Sequence, residues 1–209
     1  MAKAIVIGAG IAGLATALRL NKKGFRVEVF DANNHTGGKL DAKTIDGYRF
    51  DLGPSLFTMP ELVDELFELH NREPKDYFQY NRKEVLCNYF WDDTTFFPAY
   101  AKKSDFIQEA AQTFDEPEEN LQKYIQSTEE KYALTADLFL KKSLHKVKNY
   151  FSTSTLQAIL SMRKLHLNST LDQVNEQFFS SAKLVQLFNR YATYNGSSPY
   201  QTPGIMSMI

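Results

Sequence analysis

The chain has 209 residues, the length of one large domain or two small ones, and long enough to bury a core without disulfide staples. Hydrophobic residues at 43%, aromatic residues at 13% and charged residues at 23% exclude disorder as the main state. Lys plus Arg at 24 against Asp plus Glu at 25 leave a net charge of −1, so no global field draws the chain to nucleic acid. The single cysteine, Cys87, can close no intrachain disulfide and has no cysteine partners for a zinc site, which points to a reducing, cytoplasmic setting.

The chain opens on an uncharged run, 4–18, that imitates a secretory signal with a small-residue cleavage site at Ala15-Thr16-Ala17. It is too short and too glycine-rich to span a bilayer, and its glycines serve another motif. Ala4-Ile5-Val6-Ile7 reads as a buried parallel strand, and Gly8-Ala9-Gly10-Ile11-Ala12-Gly13 follows it at once. That is G-x-G-x-x-G between a strand and a helix. In such a motif Gly8 permits the tight turn, Gly10 lets backbone approach a pyrophosphate, and Gly13 lets the helix lie close to the strand. Ile11, Leu14, Ala15 and Leu18 recur at helical spacing, so the N–H groups of Ile11, Ala12 and Gly13 open a helix toward phosphates. Gly24 ends that helix, 25–30 reads as a second strand, and Asp31 stands at its end, placed to accept hydrogen bonds from a ribose. Glu28 is the competing acid, but it lies inside the strand. The alternative is a plain glycine turn; strand, helix, second strand and acid together favour a dinucleotide.

Gly37-Gly38-Lys39 follows, then a hairpin signal, Asp46-Gly47, between 42–45 and 48–51, then Leu52-Gly53-Pro54-Ser55. Taken singly, these are a flexible loop and a turn. Taken in this order, they resemble the flavoproteins of the amine oxidase and carotenoid desaturase superfamily, where an acid, Gly-Gly-Arg and F-D-x-G-P-[ST] follow the first fingerprint. Here Asp31 replaces the commoner Glu, and Lys39 keeps a positive charge without the bidentate fork of Arg. The resemblance implies FAD as cofactor, held by Gly8, Gly10, Ile11, Ala12, Gly13, Asp31, Gly37, Gly38, Lys39, Gly53, Pro54 and Ser55.

Beyond this, 60–69 has proline at a helix start and apolar residues three and four apart, which predicts an amphipathic helix. The stretch 77–100 is rich in Tyr, Phe and Val and turns at Asp92-Asp93-Thr94-Thr95, which predicts strands of a second region. Helices are expected over 104–114, capped by Ser104, and over 117–140, with Asp115, Glu116, Glu118 and Glu119 in or before its first turn. Further helices are expected over 154–165, 171–179 and 182–191. The fold class is therefore α/β, a Rossmann-like FAD-binding domain over 1–74 followed by a mixed, largely helical substrate region over 75–209.

Leu56-Phe57-Thr58-Met59-Pro60 and Asn195-Gly196-Ser197-Ser198-Pro199-Tyr200 place the resemblance in the phytoene and carotenoid desaturase branch. It implies a linear, lipophilic polyene that loses two hydrogens, with hydride passing to the flavin. Amine oxidases, carotenoid isomerases, retinol saturases and carotenoid oxidases share the outline. The superfamily also closes its FAD site with a late glycine segment that is not in these residues, so a partial sequence of a longer enzyme is expected; the alternative is a short, inactive nucleotide-binding chain. No spacing marks a catalytic acid or base, and His35, His70, His145 and His166 lack metal-ligand spacing, so no metal is expected.

Between Asp137 and Asp172 there is no acid, while Lys141, Lys142, Lys146, Lys148, Arg163 and Lys164 alternate with apolar residues. One reading is a solvated basic face on helices whose apolar side goes to the core. The other is peripheral contact of 138–171 with the inner face of the cell membrane, where a polyene dissolves.

Overall fold

Alternating apolar strands and an amphipathic helix dictate the first 30 residues. The computed structural model, which describes residues 1–54, 57–139 and 165–208, places β1 at Lys3–Ile7 and β2 at Arg26–Phe30, paired in parallel from Lys3 opposite Arg26 to Ile7 opposite Phe30. The crossover is α1, Ile11–Lys22, which ends where Gly24 turns at φ 88°. Glu28, inside β2, pairs with Lys3 at 2.9 Å. The next hairpin, β3 (Ala42–Ile45) with β4 (Tyr48–Asp51), turns at Asp46 and Gly47, both at positive φ, as a two-residue turn matched to strand twist requires. The helix α2, Glu61–Glu68, is tied to α1 through Arg19 and Glu65 at 3.2 Å and through His70 Nε2 on the Leu18 carbonyl at 3.1 Å. These elements belong to one compact unit, Met1–Asn81; a second spans Arg82–Ile209.

The second unit is built on aromatic packing. β5 (Val85–Phe90) and β6 (Phe96–Tyr100) form an antiparallel hairpin whose alternate residues Cys87, Tyr89, Phe97 and Ala99 face a core shared with α3 (Lys103–Phe114) and α4 (Glu118–Phe139). Two short helices, α5 (Leu171–Phe178) and α6 (Ala182–Asn189), complete the described part. Phe97 is fully buried and meets Phe114 at 5.0 Å between ring centres, while Tyr124 meets Phe188 at 4.4 Å and Phe188 stacks on Phe179 at 5.1 Å. The hairpin turn is pinned to α6: Lys183 donates to Asp93 and Thr95, and Trp91 Nε1 donates to Gln186 Oε1 at 2.6 Å.

Three expectations about helix ends change. Ser104 lies inside α3, with its hydroxyl on Asp105, and Lys102 takes the cap position. Asp115 is the left-handed residue that ends α3, at φ 50°. Glu116 is 3% exposed and reaches two helices: its Oε1 accepts from Asn120 in α4 at 2.7 Å, and its Oε2 accepts from the N–H groups of Ser180 and Ser181, at 2.9 and 3.0 Å, at the start of α6. Desolvation pushes its pKa up, but hydrogen bonds from Asn120, Ser181 and Ser180 outweigh that and hold it below the ordinary value. Near the end of the chain Gly204–Met208 forms a 3-10 turn, and Lys131, only 1% exposed, donates to Ser207 Oγ at 2.7 Å. Burial pushes its pKa down to about 8. The helix expected over 154–165 and the basic groups of 141–164 lie outside the described residues.

Candidate functional site: a glycine cradle on the first unit

The end of β1 is closed by backbone and by one carboxylate. Gly8 N–H donates to the Phe30 carbonyl at 2.7 Å, extending the parallel ladder by one bond. The Asp31 carboxylate then reaches back: Oδ2 accepts from Ala9 N–H at 2.6 Å, and Oδ1 accepts from Asn33 N–H at 2.8 Å and Asn33 Nδ2 at 3.2 Å. The Ala9 bond, then the Asn33 backbone bond, hold the Asp31 pKa below its ordinary value. A carboxylate has about four lone-pair sites, and three are taken here, so Oδ2 keeps one acceptor position.

The second glycine pair closes onto the first. Gly37 N–H donates to the Ala9 carbonyl at 2.9 Å, and Gly10 and Gly37 form a parallel bridge. The backbones approach so closely that a Cβ on Gly38 would stand 3.1 Å from the Gly10 Cα, and a Cβ on Gly13 would collide with the Gly8 carbonyl. Gly10 caps α1 with no side-chain bond and no acid lies in the first turn, so the N–H groups of Ile11, Ala12 and Gly13 are free of side-chain competition for an anion. Beside this cradle a pocket of about 410 Å³ is lined by Gly38, Lys39, Asp41, Leu52, Gly53 and Pro54. Leu52 N–H on the Asp41 carbonyl, 2.9 Å, brings its two sides together.

The structure thus brings Gly8, Gly10, Ile11, Ala12, Gly13, Asp31, Gly37 and Gly38 to one end of the parallel pair, with Lys39, Gly53 and Pro54 on the adjoining pocket. Ser55 lies outside the described residues. Asp41 lines the same pocket and carries no motif signal by which a sequence reading would find it. Among the described residues no group of three His, Cys, Asp or Glu could hold a metal, and no helix is long and apolar enough to cross a membrane.

Fold and site define a Rossmann-like dinucleotide-binding domain, and residues 6–72 match the NAD(P)-binding Rossmann-like domain family. Along its whole length the chain is 58% identical to a 1-hydroxycarotenoid 3,4-desaturase of Flavobacterium sp. (strain P99-3), spanning 42% of that relative. It is 30% identical to a 4,4'-diaponeurosporene oxygenase of Staphylococcus aureus (strain USA300), over 98% of this chain and 41% of that one. Among solved structures, putrescine oxidase bound to putrescine superposes with a TM-score of 0.58 at 18% identity, over 99% of this chain and 40% of the other. That likeness is one of fold.

Proposed function

We propose that the full protein is an FAD-dependent oxidoreductase that desaturates a linear carotenoid, one carrying a 1-hydroxyl group as in its Flavobacterium relative. The observation that carries the reading is the double-glycine cradle closed by Asp31, in a chain 58% identical to a carotenoid desaturase. The residues present fit FAD. The N–H groups of Ile11, Ala12 and Gly13 and the backbone of Gly8 and Gly10 take the pyrophosphate, and the remaining lone pair of Asp31 Oδ2 accepts from the ribose. Gly37, Gly38 and Lys39, with Gly53 and Pro54, form the second wall, where the lysine supplies a positive charge. Bound FAD supplies the hydride acceptor. This chain's share of the work is to hold and orient the cofactor.

Purified full-length protein is expected to carry flavin absorbance and, anaerobically, to bleach it on adding a linear hydroxylated polyene, with a red shift of the polyene. Tight NAD binding with no flavin uptake would overturn the reading. The basic stretch 138–171 supports peripheral contact with an anionic membrane, because such groups contribute about 1 kcal/mol each near the surface. Binding to anionic liposomes is expected to be salt-sensitive and to fall when Lys141, Lys142, Lys146 and Lys148 become Gln; binding that does not respond would leave the stretch as ordinary surface.

A further inference from the structure

A groove of about 920 Å³ on the second unit lies outside the dinucleotide cradle, and its lining mixes apolar Phe179, Val185 and Pro199 with polar Asp172, Asn189 and Glu176. The polar side is anchored from within by a chain of buried hydrogen bonds. Tyr124 O–H donates to Asn175 Oδ1 at 2.8 Å, Asn175 Nδ2 donates to Asn189 Oδ1 at 2.8 Å, and Asn189 Nδ2 donates to Asp172 Oδ1 at 2.6 Å. Burial pushes the Tyr124 phenol well above its ordinary pKa, so it stays a donor and the chain runs one way, toward Asp172. Asn175 is wholly buried and Asn189 nearly so.

Apolar residues would fill those core positions without the desolvation that buried amides carry, so what the relay adds is an oriented carboxylate at the groove. Asp172 Oδ2 has no hydrogen-bond partner among the described residues. Arg190 also lines the groove; its Nη1 donates to the Tyr89 hydroxyl oxygen at 2.8 Å and its guanidinium lies 5.4 Å from that ring centre. Phe179, Val185 and Pro199 beside a positioned carboxylate, on a lining otherwise largely polar, suit an apolar chain that ends in a hydroxyl.

We propose that this groove seats the hydroxylated end of the polyene, with Asp172 as the acceptor of its O–H and Asn189 and Asn175 as positioning residues. The proposal rests on the carotenoid reading above and adds the residues that recognise the oxygenated end. A site that hydrogen-bonds a hydroxyl discriminates against the analogue lacking it, because the acceptor is then left unpaired.

The test uses full-length protein with FAD and two linear polyenes of equal length, one bearing a tertiary hydroxyl at one end. Dissociation constants are read from the visible absorption of polyene retained on the protein, and kcat/KM from product formation. Wild type is expected to bind the hydroxylated polyene about tenfold more tightly, the scale of one hydrogen bond. Asp172→Asn, which keeps an oxygen for Asn189 but replaces the free acceptor with an amide donor, is expected to lower that preference by weakening binding of the hydroxylated polyene. Asp172→Ala is expected to lower it as well. A preference that survives undiminished in both variants, or an equal loss on both polyenes, overturns the proposal, as does tighter binding of a matched long-chain primary amine than of the alcohol. A preference seen in a protein that takes up no flavin would support the groove and sink the functional reading. Desaturation of both polyenes with equal kcat/KM by wild type and Asp172→Asn would do the reverse.

Discussion

The two units are held by different physics. In Met1–Asn81 the contacts around the site are made by small residues and backbone, with Val6, Ala9, Ala17 and Pro74 buried. What organises this unit is backbone against backbone, glycine to glycine, and one carboxylate on an N–H. In Arg82–Ile209 the order comes from large rings around Phe97, Tyr124 and Phe188 and, among the described residues, from buried polar side chains none of which lacks a partner. The first unit is specified by atoms that are missing, the second by atoms that fill space. Substitutions should therefore damage them in different currencies: ligand binding in the first, stability in the second.

The largest effect expected of that contrast is at Gly13. A valine there would drive α1 away from the Gly8 carbonyl, and full-length Gly13→Val is expected to purify without flavin absorbance while the second unit stays folded. Flavin retained at the wild-type ratio would show that the close approach is not needed. Next comes Phe97→Ala, which opens a cavity under the second hairpin and is expected to lower stability by about 3 to 5 kcal/mol, as read by denaturant unfolding. Flavin content at low temperature should not follow it; a parallel loss would erase the distinction between the units.

Glu116→Gln is a smaller perturbation and carries a pH signature. The variant loses charge-assisted bonds to Ser180 and Ser181, at a cost of about 1 to 3 kcal/mol near neutral pH. Because the folded pKa of Glu116 lies below its ordinary value of 4.5, its contribution is present above that value and is lost as pH falls through the folded pKa. Stability curves of wild type and variant should thus converge on acidification below about pH 4.5; a gap independent of pH would mean the carboxylate charge is irrelevant there. Smallest is Asp31→Ala, expected to weaken FAD by roughly tenfold, the scale of one charge-assisted hydrogen bond, without changing the second unit's unfolding. Flavin titration checks it, and unchanged affinity would assign Asp31 to bracing Ala9 alone.

Much of the fold was legible because it is local. Asp46-Gly47 between two alternating runs could only be a tight hairpin, and it is one. Gly24 stops α1, and α5 begins at Leu171, where a helix is expected from the sequence. The glycine spacing likewise predicts the tight strand-to-helix turn, since each glycine answers to a neighbour within a few residues or within the same strand-helix-strand unit.

What the sequence determined by itself was this set of local commitments: periods, turns, helix starts and the dinucleotide fingerprint, all governed by backbone sterics and hydrogen bonds between near neighbours. Only the tertiary structure decided where polar side chains found partners. Glu116 meets Asn120 in the helix that follows it, yet its backbone N–H partners are 64 and 65 residues away; Lys131 meets Ser207 across 76, and Tyr124 meets Asn175 across 51. No period or spacing encodes such pairs. Each exists because burying a polar group is costly unless a partner is met inside, and which partner is met depends on how the helices come to lie against one another.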